Sequence, residues 1–204
     1  MSPLDAPSSR LDPAAAAKRA LRREMIARRA DLARDAPGAA QALADQFPIA
    51  DLPPGLKVSA YAPMGSEIDP GPLLRRLAAR GAMILLPVVT ARGGALTFRE
   101  AGEPALYVPD DVGLPGPPPE ARAAAPDLIL APLLAFDLLG GRLGYGGGYY
   151  DRTIAALRAG PGVSVVGLAY EGQAVGAVPR DAHDQVLDAI ATEIGYRSLI
   201  FQES

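Results

Sequence analysis

Apolar and polar positions change period several times along the 204-residue chain. Over residues 14–33, "AAAAKRALRREMIARRADLA", Leu21, Met25 and Leu32 recur at helical spacing with Ile26 beside them, and strong helix formers fill the rest. Lys18 and Arg22 are four residues apart and so share one side of that helix. After a proline-rich turn, "KVSAYAP" from Lys57 predicts a strand, "PLLRRLAAR" a helix stopped by Gly81, and "AMILLPVV" a strand covered on both faces. "ALTFRE" predicts a further strand. Prolines and glycines from Ala101 to Ala124 predict an extended loop, with local pairing open to "ALYVP". "DLILAPLLAFD" begins as an apolar strand and runs into a glycine cluster, "YYDRTIAALRA" reads as a helix, "VSVVGLAY" as a strand, and a last short strand is expected at Ala189 to Thr192. Alternating strands and helices predict an α/β fold with a mostly parallel central sheet flanked by helices. No repeat or domain boundary interrupts it. Residues 1–13, rich in Pro, Ser and Asp, are expected to be a mobile tail ahead of a single domain over 14–204.

Composition narrows the chemistry. Apolar residues at 49% and charged residues at 21% fit a globular chain. A net charge of −3 argues against whole-surface attraction to nucleic acid or anionic lipid. The absence of cysteine excludes disulfides, thiolate zinc sites and a cysteine nucleophile, and a single histidine, His183, excludes a multi-histidine metal centre. No apolar run has the length of a membrane span, and the first residues lack the order of a secretory signal, so a cytoplasmic location is expected. His183 reads as a surface residue. Asp188 reads as a structural hydrogen-bond acceptor, and Arg23, Arg28 and Arg29 read as solvated charges.

The densest signal is "GGRLGYGGGYYDR", Gly140 to Arg152, between an apolar strand and a helix. In α/β proteins ligands sit at the carboxyl ends of strands. Glycines let successive backbone N–H groups converge on an anion, and the following helix adds its own unpaired N–H groups. The stretch is no standard nucleotide fingerprint. A P-loop would end in Gly-Lys-Ser/Thr, and the third glycine of the dinucleotide pattern falls on Tyr149. A ligand-free flexible turn is the competing reading. Arg142 adds a planar cation suited to phosphate, and Tyr149 and Tyr150 offer flat rings. Asp151 can hold magnesium, or it can cap the helix or pair with Arg152.

"AFDLLGGRLGYGGGYYDR" resembles the signature of the 5-formyltetrahydrofolate cyclo-ligases, also called methenyltetrahydrofolate synthetases. "KRALR" at 18–22, "YAPMGSEID" at 61–69 and "VPRDAHDQVLDAIATE" at 178–193 match further motifs of that family, in the family's order. The resemblance implies a Rossmann-like domain of the NagB/RpiA/CoA transferase-like kind. It implies ATP-dependent cyclisation of 5-formyltetrahydrofolate to 5,10-methenyltetrahydrofolate with release of ADP and phosphate. By that resemblance Lys18, Arg22, Arg142, Gly144, Gly146, Gly147, Gly148, Tyr149 and Tyr150 would bind ATP, with Arg142 and Tyr149 acting in catalysis. Tyr61, Ala62, Glu67, Tyr145 and Tyr149 would line the folate pocket, and Asp151 and Asp184 would hold Mg²⁺. Certain family members carry basic residues where this chain has Tyr145 and Gly147. The resemblance further implies a monomer whose substrate is a small molecule, with or without a polyglutamate tail. A non-catalytic folate-sequestering module and a sugar-phosphate isomerase of similar architecture are the competing classes.

Overall fold

A computed structural model describes residues 13–199. The expected tail falls outside the described residues except for Pro13, which opens helix α1 (Pro13–Asp35). The helices α2 (Ala39–Gln46), α3 (Gly71–Ala79) and α4 (Tyr149–Arg158) follow. The strands are β1 (Lys57–Ser59), β2 (Met83–Val88), β3 (Thr97–Glu100), β4 (Val108–Pro109), β5 (Pro115–Gly116), β6 (Leu128–Pro132), β7 (Ala135–Phe136), β8 (Arg142–Leu143), β9 (Ser164–Leu168), β10 (Ala189–Thr192) and β11 (Gly195–Ser198). The main sheet runs β11-β10-β9-β6-β1-β2-β3. Its inner strands are parallel, and β11 and β3 close the two edges antiparallel. The fold is α/β, as the alternation of elements predicts.

The central strands are apolar at successive positions because both faces are covered. Leu128 and Leu130 of β6 join one core cluster, with Leu43 and Phe47 from the α2 region and Leu73 and Leu77 of α3. Ile129 and Ala131, pointing the other way, join a second cluster with Ile154 of α4. A third, smaller cluster centres on Met25 of α1 with Leu134, Leu143 and Val178. That cluster seats α1 over segments that follow the carboxyl ends of the strands. No helix among the described residues is long and apolar enough to cross a membrane.

Several sequence expectations need correction. Ile26 is 47% exposed while Met25 is fully buried, since adjacent helical positions lie about 100° apart. The strand expected over 57–63 ends at Ser59, although Ala60 N–H still bonds the Leu85 carbonyl at 3.0 Å before the chain leaves the sheet. The α2 helix, the edge strand β11 and the β7–β8 hairpin that leads into the glycine stretch were not anticipated. Each is short, and each takes its place from tertiary packing more than from local pattern. The expected local pairing in the 101–124 loop is present as β4–β5.

Candidate active site

The glycine stretch is a folded structure, with β8 and the first turn of α4 joined by a loop over 144–148. The β7–β8 hairpin turns around Asp137, which is 2% exposed. One Asp137 carboxylate oxygen accepts N–H bonds from Leu139 and Gly141 at 2.9 and 2.8 Å, and the other accepts from Val178 at 2.8 Å. The hairpin is thereby fixed both to itself and to the segment leading to Asp181 and Asp184. Arg142 lies on β8 with a buried guanidinium that donates to Asp151 at 2.9 Å and sits 5.5 Å from the Tyr150 ring centre. Its Nε is buried without a hydrogen-bond partner. Asp151 also accepts the Gln185 N–H at 3.1 Å, so it pairs with Arg142, not with Arg152 as one reading of the sequence allowed. Arg152 instead donates to the carbonyls of Gly94 and Gly147 and covers the Tyr149 ring at 5.4 Å. Gly148, at φ +66°, ends the loop in the left-handed region and opens α4 with Tyr149, Tyr150 and Asp151 in its first turn.

α1 supplies a stripe of cations along one side. Lys18, Arg22, Met25 and Arg29 are spaced by four, three and four residues, which places them in one row. Lys18 ion-pairs with Asp184 and with Asp181, the latter at 2.7 Å. Burial alone would lower the Lys18 pKa, but the hydrogen bonds to Asp181 and Asp184 outweigh it and raise it. Arg22 donates to the Gly144 carbonyl at 2.9 Å, and a Cβ at Gly146 would meet its guanidinium carbon at 3.1 Å. Met25 anchors the row in the core. Arg29 is 3% exposed. The sequence placed it in solvent, and that expectation is wrong: a charged run marks a wet helix face only where nothing packs on it.

The loop after β1 brings Glu67. Its side chain is 2% exposed, one oxygen accepts the Met64 N–H at 2.8 Å, and the other has no hydrogen-bond partner. Burial raises the Glu67 pKa, opposed by the Met64 N–H and the nearby Arg29 and Tyr145. Tyr61 hydroxyl donates to the Ile68 carbonyl at 2.8 Å and holds the base of this loop, and burial pushes that hydroxyl far above its ordinary range. Tyr150 hydroxyl is likewise pushed up by burial.

These segments enclose one cavity of about 1130 Å³. Lys18, Arg22, Tyr61, Ala62, Glu67, Arg142, Gly144 to Gly148, Asp151 and Asp184 all line it, Tyr149 and Tyr150 included. Sequence reasoning missed the wall formed by Val112 and Leu114 on the β4–β5 connection, Asp181 beside Lys18, and Arg29 behind Glu67. A buried cation seven residues from Arg22 was a signal available in the spacing. The β4–β5 wall had none, because its apolar residues sit in a proline-rich loop.

The sequence model of the 5-formyltetrahydrofolate cyclo-ligase family matches residues 14–193. The chain belongs to that family. A 5-formyltetrahydrofolate cyclo-ligase of Mycolicibacterium smegmatis is 35% identical over 150 residues, covering 68% of this chain and 76% of the relative. The Escherichia coli K12 enzyme of the same name is 31% identical over 140 residues, covering 66% and 76%. The solution structure of Aquifex aeolicus 5,10-methenyltetrahydrofolate synthetase superimposes with a TM-score of 0.71 at 28% identity, covering 92% of this chain and 95% of that one. The Mycoplasma pneumoniae synthetase, at 23% identity and a TM-score of 0.67, shares the fold.

In this cyclo-ligase family member the donor set can be tested against a metal directly. No cluster of three or more Asp, Glu, His or Cys residues suited to an ion occurs among the described residues. Asp151 and Asp184 are two separate carboxylates, each already neutralised by a cation, Arg142 and Lys18. That set does not make an all-protein cage. It does fit magnesium, which is held by one or two carboxylates together with water and phosphate oxygens.

Proposed function

We propose that this chain is an ATP-dependent 5-formyltetrahydrofolate cyclo-ligase acting as a monomeric, single-domain enzyme over residues 14–204 in the cytoplasm, on 5-formyltetrahydrofolate with or without a polyglutamate tail. One observation carries the reading. A single cavity is lined both by Lys18, Arg22, Arg142 and a glycine loop and by Glu67, one buried oxygen of which accepts no hydrogen bond. At about 1130 Å³ the cavity lies above the roughly 300–1,000 Å³ of common ligand pockets, in keeping with a site that takes two reactants. The site is completed within one chain, which supports a monomer.

The division of labour follows from the chemistry of each part. Glycine-loop N–H groups, the α4 N-terminus, Lys18, Arg22 and the unpartnered Arg142 Nε suit a triphosphate. Glu67, with one oxygen that accepts no hydrogen bond, suits the paired N–H donors of a reduced pterin. Asp151 and Asp184 would hold magnesium, which supplies charge neutralisation at the phosphates. The reaction needs positioning more than a nucleophilic side chain. The formyl oxygen attacks the γ-phosphorus, the bond to the β-phosphate oxygen breaks, and ADP leaves. N10 then attacks the formyl carbon, the carbon–oxygen bond breaks with release of phosphate, and the N10 proton is lost to solvent, leaving the 5,10-methenyl cation. An amide-like oxygen becomes a leaving group only once phosphorylated, so water must be kept from the site while both reactants are bound. Tyr149 lines the same cavity, and by the family resemblance it would act near the place where the two reactants meet.

Mixing the protein with magnesium, ATP and 5-formyltetrahydrofolate should raise the near-ultraviolet absorbance of the methenyl product in step with ADP release. No rise, with the protein folded, would refute the reading.

A further inference from the structure

Arg29 does not line the cavity. It stands behind the wall and touches three segments that form it. Nε donates to Ser66 Oγ at 3.1 Å, and Nη1 donates to the Leu133 carbonyl at 3.4 Å while lying 3.6 Å from a Glu67 carboxylate oxygen. Nη2 donates to the Tyr145 hydroxyl, and the guanidinium sits 5.5 Å from the centre of the Tyr145 ring. Ser66 and Glu67 belong to the loop after β1, Leu133 follows β6, and Tyr145 belongs to the glycine loop. Tyr145 is 48% exposed, so its place at the cavity rim depends on this stack and hydrogen bond more than on core packing. Glu67 has the opposite difficulty. An ionised carboxylate enclosed to this degree needs a cation, because burial without one favours the neutral acid. A planar guanidinium can serve all these partners at once, whereas a lysine would offer a point charge to one or two of them.

We infer that Arg29 is a positioning residue for the folate half of the site, holding the Glu67 carboxylate and the Tyr145 ring in one fixed relation from behind. The inference rests on the cyclo-ligase reading and deepens it: pterin affinity depends on a side chain of α1 that never meets the pterin. Arg22, two turns earlier, holds the same glycine loop through Gly144. The nucleotide half therefore keeps its own tether when Arg29 is changed. The groups facing Glu67 are Arg29 from α1, Tyr145 from the glycine loop, Tyr61 beyond β1 and Tyr150 of α4. Among them Arg29 is the one that carries a permanent charge.

The test compares wild type with Arg29→Met, Arg29→Lys and Tyr145→Phe by steady-state kinetics, with thermal melts as the check on folding. Arg29→Met should raise KM for 5-formyltetrahydrofolate at least tenfold and leave KM for magnesium-ATP within twofold. The acid limb of kcat/KM for the folate should also move to higher pH, since Glu67 loses the cation that opposes its protonation. Arg29→Lys, with the charge but not the fork, should raise folate KM about tenfold and keep the wild-type acid limb. Tyr145→Phe should raise folate KM about threefold. A folded Arg29→Met protein with unchanged folate KM, both KM values rising together, or an unmoved acid limb would each overturn the assignment. Should Arg29→Met not fold, unchanged folate KM in both of the other variants would overturn it. Wild-type turnover with unaltered variants rejects Arg29 alone, whereas a folded wild type without turnover rejects the cyclo-ligase reading and this inference together.

Discussion

Replacing Asp137 by Asn should separate two structural duties that one carboxylate performs. Asparagine is isosteric, and its carbonyl oxygen can still accept from Leu139 and Gly141, where the carboxylate now accepts at 2.9 and 2.8 Å. Its NH₂ group would then face the Val178 N–H, which presently donates to the second oxygen at 2.8 Å. A hydrogen bond to a charged group is worth about 1.5–3 kcal/mol and a neutral one about 0.5–1.5. The two retained bonds each lose about 1 kcal/mol. The third is lost outright, and the Val178 N–H, in a buried position, is left opposite another donor at a cost of about 1–3 kcal/mol. The expected destabilisation is about 3–5 kcal/mol, a large part of the roughly 5–15 kcal/mol that holds a domain together. Urea unfolding should show the midpoint falling with an unchanged slope. A loss below about 1 kcal/mol would refute the reasoning, because it would mean that water replaces the carboxylate at Val178. Gly141 leads to the same carboxylate from the other side: a Cβ there would lie 2.4 Å from Asp137, so Gly141→Ala should destabilise by a comparable amount.

Other outcomes follow from the same contacts. Arg142→Ala should lower turnover by about 10²–10³ while the melt stays cooperative, the scale of losing a preorganised charge-stabilising donor; wild-type rates would withdraw its role. Gly148→Ala forces a left-handed alanine at a cost of about 1–2 kcal/mol, and its Cβ would also press on the Arg152 tip that the Gly94 and Gly147 carbonyls hold, so the melting temperature should fall by at least roughly 2–4 °C. The Lys18–Asp181 link has a defined pH window. The hydrogen bond from Lys18 holds the Asp181 carboxyl below its ordinary value, and the Lys18 ammonium is raised above its own. The link should therefore be whole at neutral pH, fade as pH falls through the lowered Asp181 value, and fade again as pH rises through the raised Lys18 value. Melts of Asp181→Asn and wild type should differ between those limits and converge beyond them. The same variant frees Lys18 from one exposed competitor, and metal-free nucleotide should bind it about two- to fivefold more tightly by calorimetry, the range of a surface ion pair.

The long apolar strands and the inward Leu21 and Met25 of α1 were legible because burial on two faces, or on one stripe, writes itself into the residue period. Leu128 to Ala131 alternate between two clusters as a doubly covered strand requires. The cavity residues were legible for a different reason: family resemblance located them, and spacing alone left Asp151 between magnesium, helix cap and Arg152. What escaped was decided by partners distant in sequence. Arg29 and Arg28 are adjacent cations with the same local surroundings, yet one meets Glu67 and Tyr145 and the other is exposed. Only helical register separates them, Arg29 standing four residues after the inward Met25 and seven after Arg22. Short elements such as α2 and β11 escaped likewise, since their stabilisation comes from the sheet they cover or extend.

Lys18 reaches Asp184 across 166 positions of sequence. During synthesis the first cation of the site is therefore exposed long before its acidic partner exists. A nascent chain lacks the second carboxylate of the site until nearly the whole sheet has emerged, and any product that stops short of Val178 also leaves the Asp137 clamp half empty. Truncated copies should accordingly neither hold nucleotide nor compete for it with complete ones.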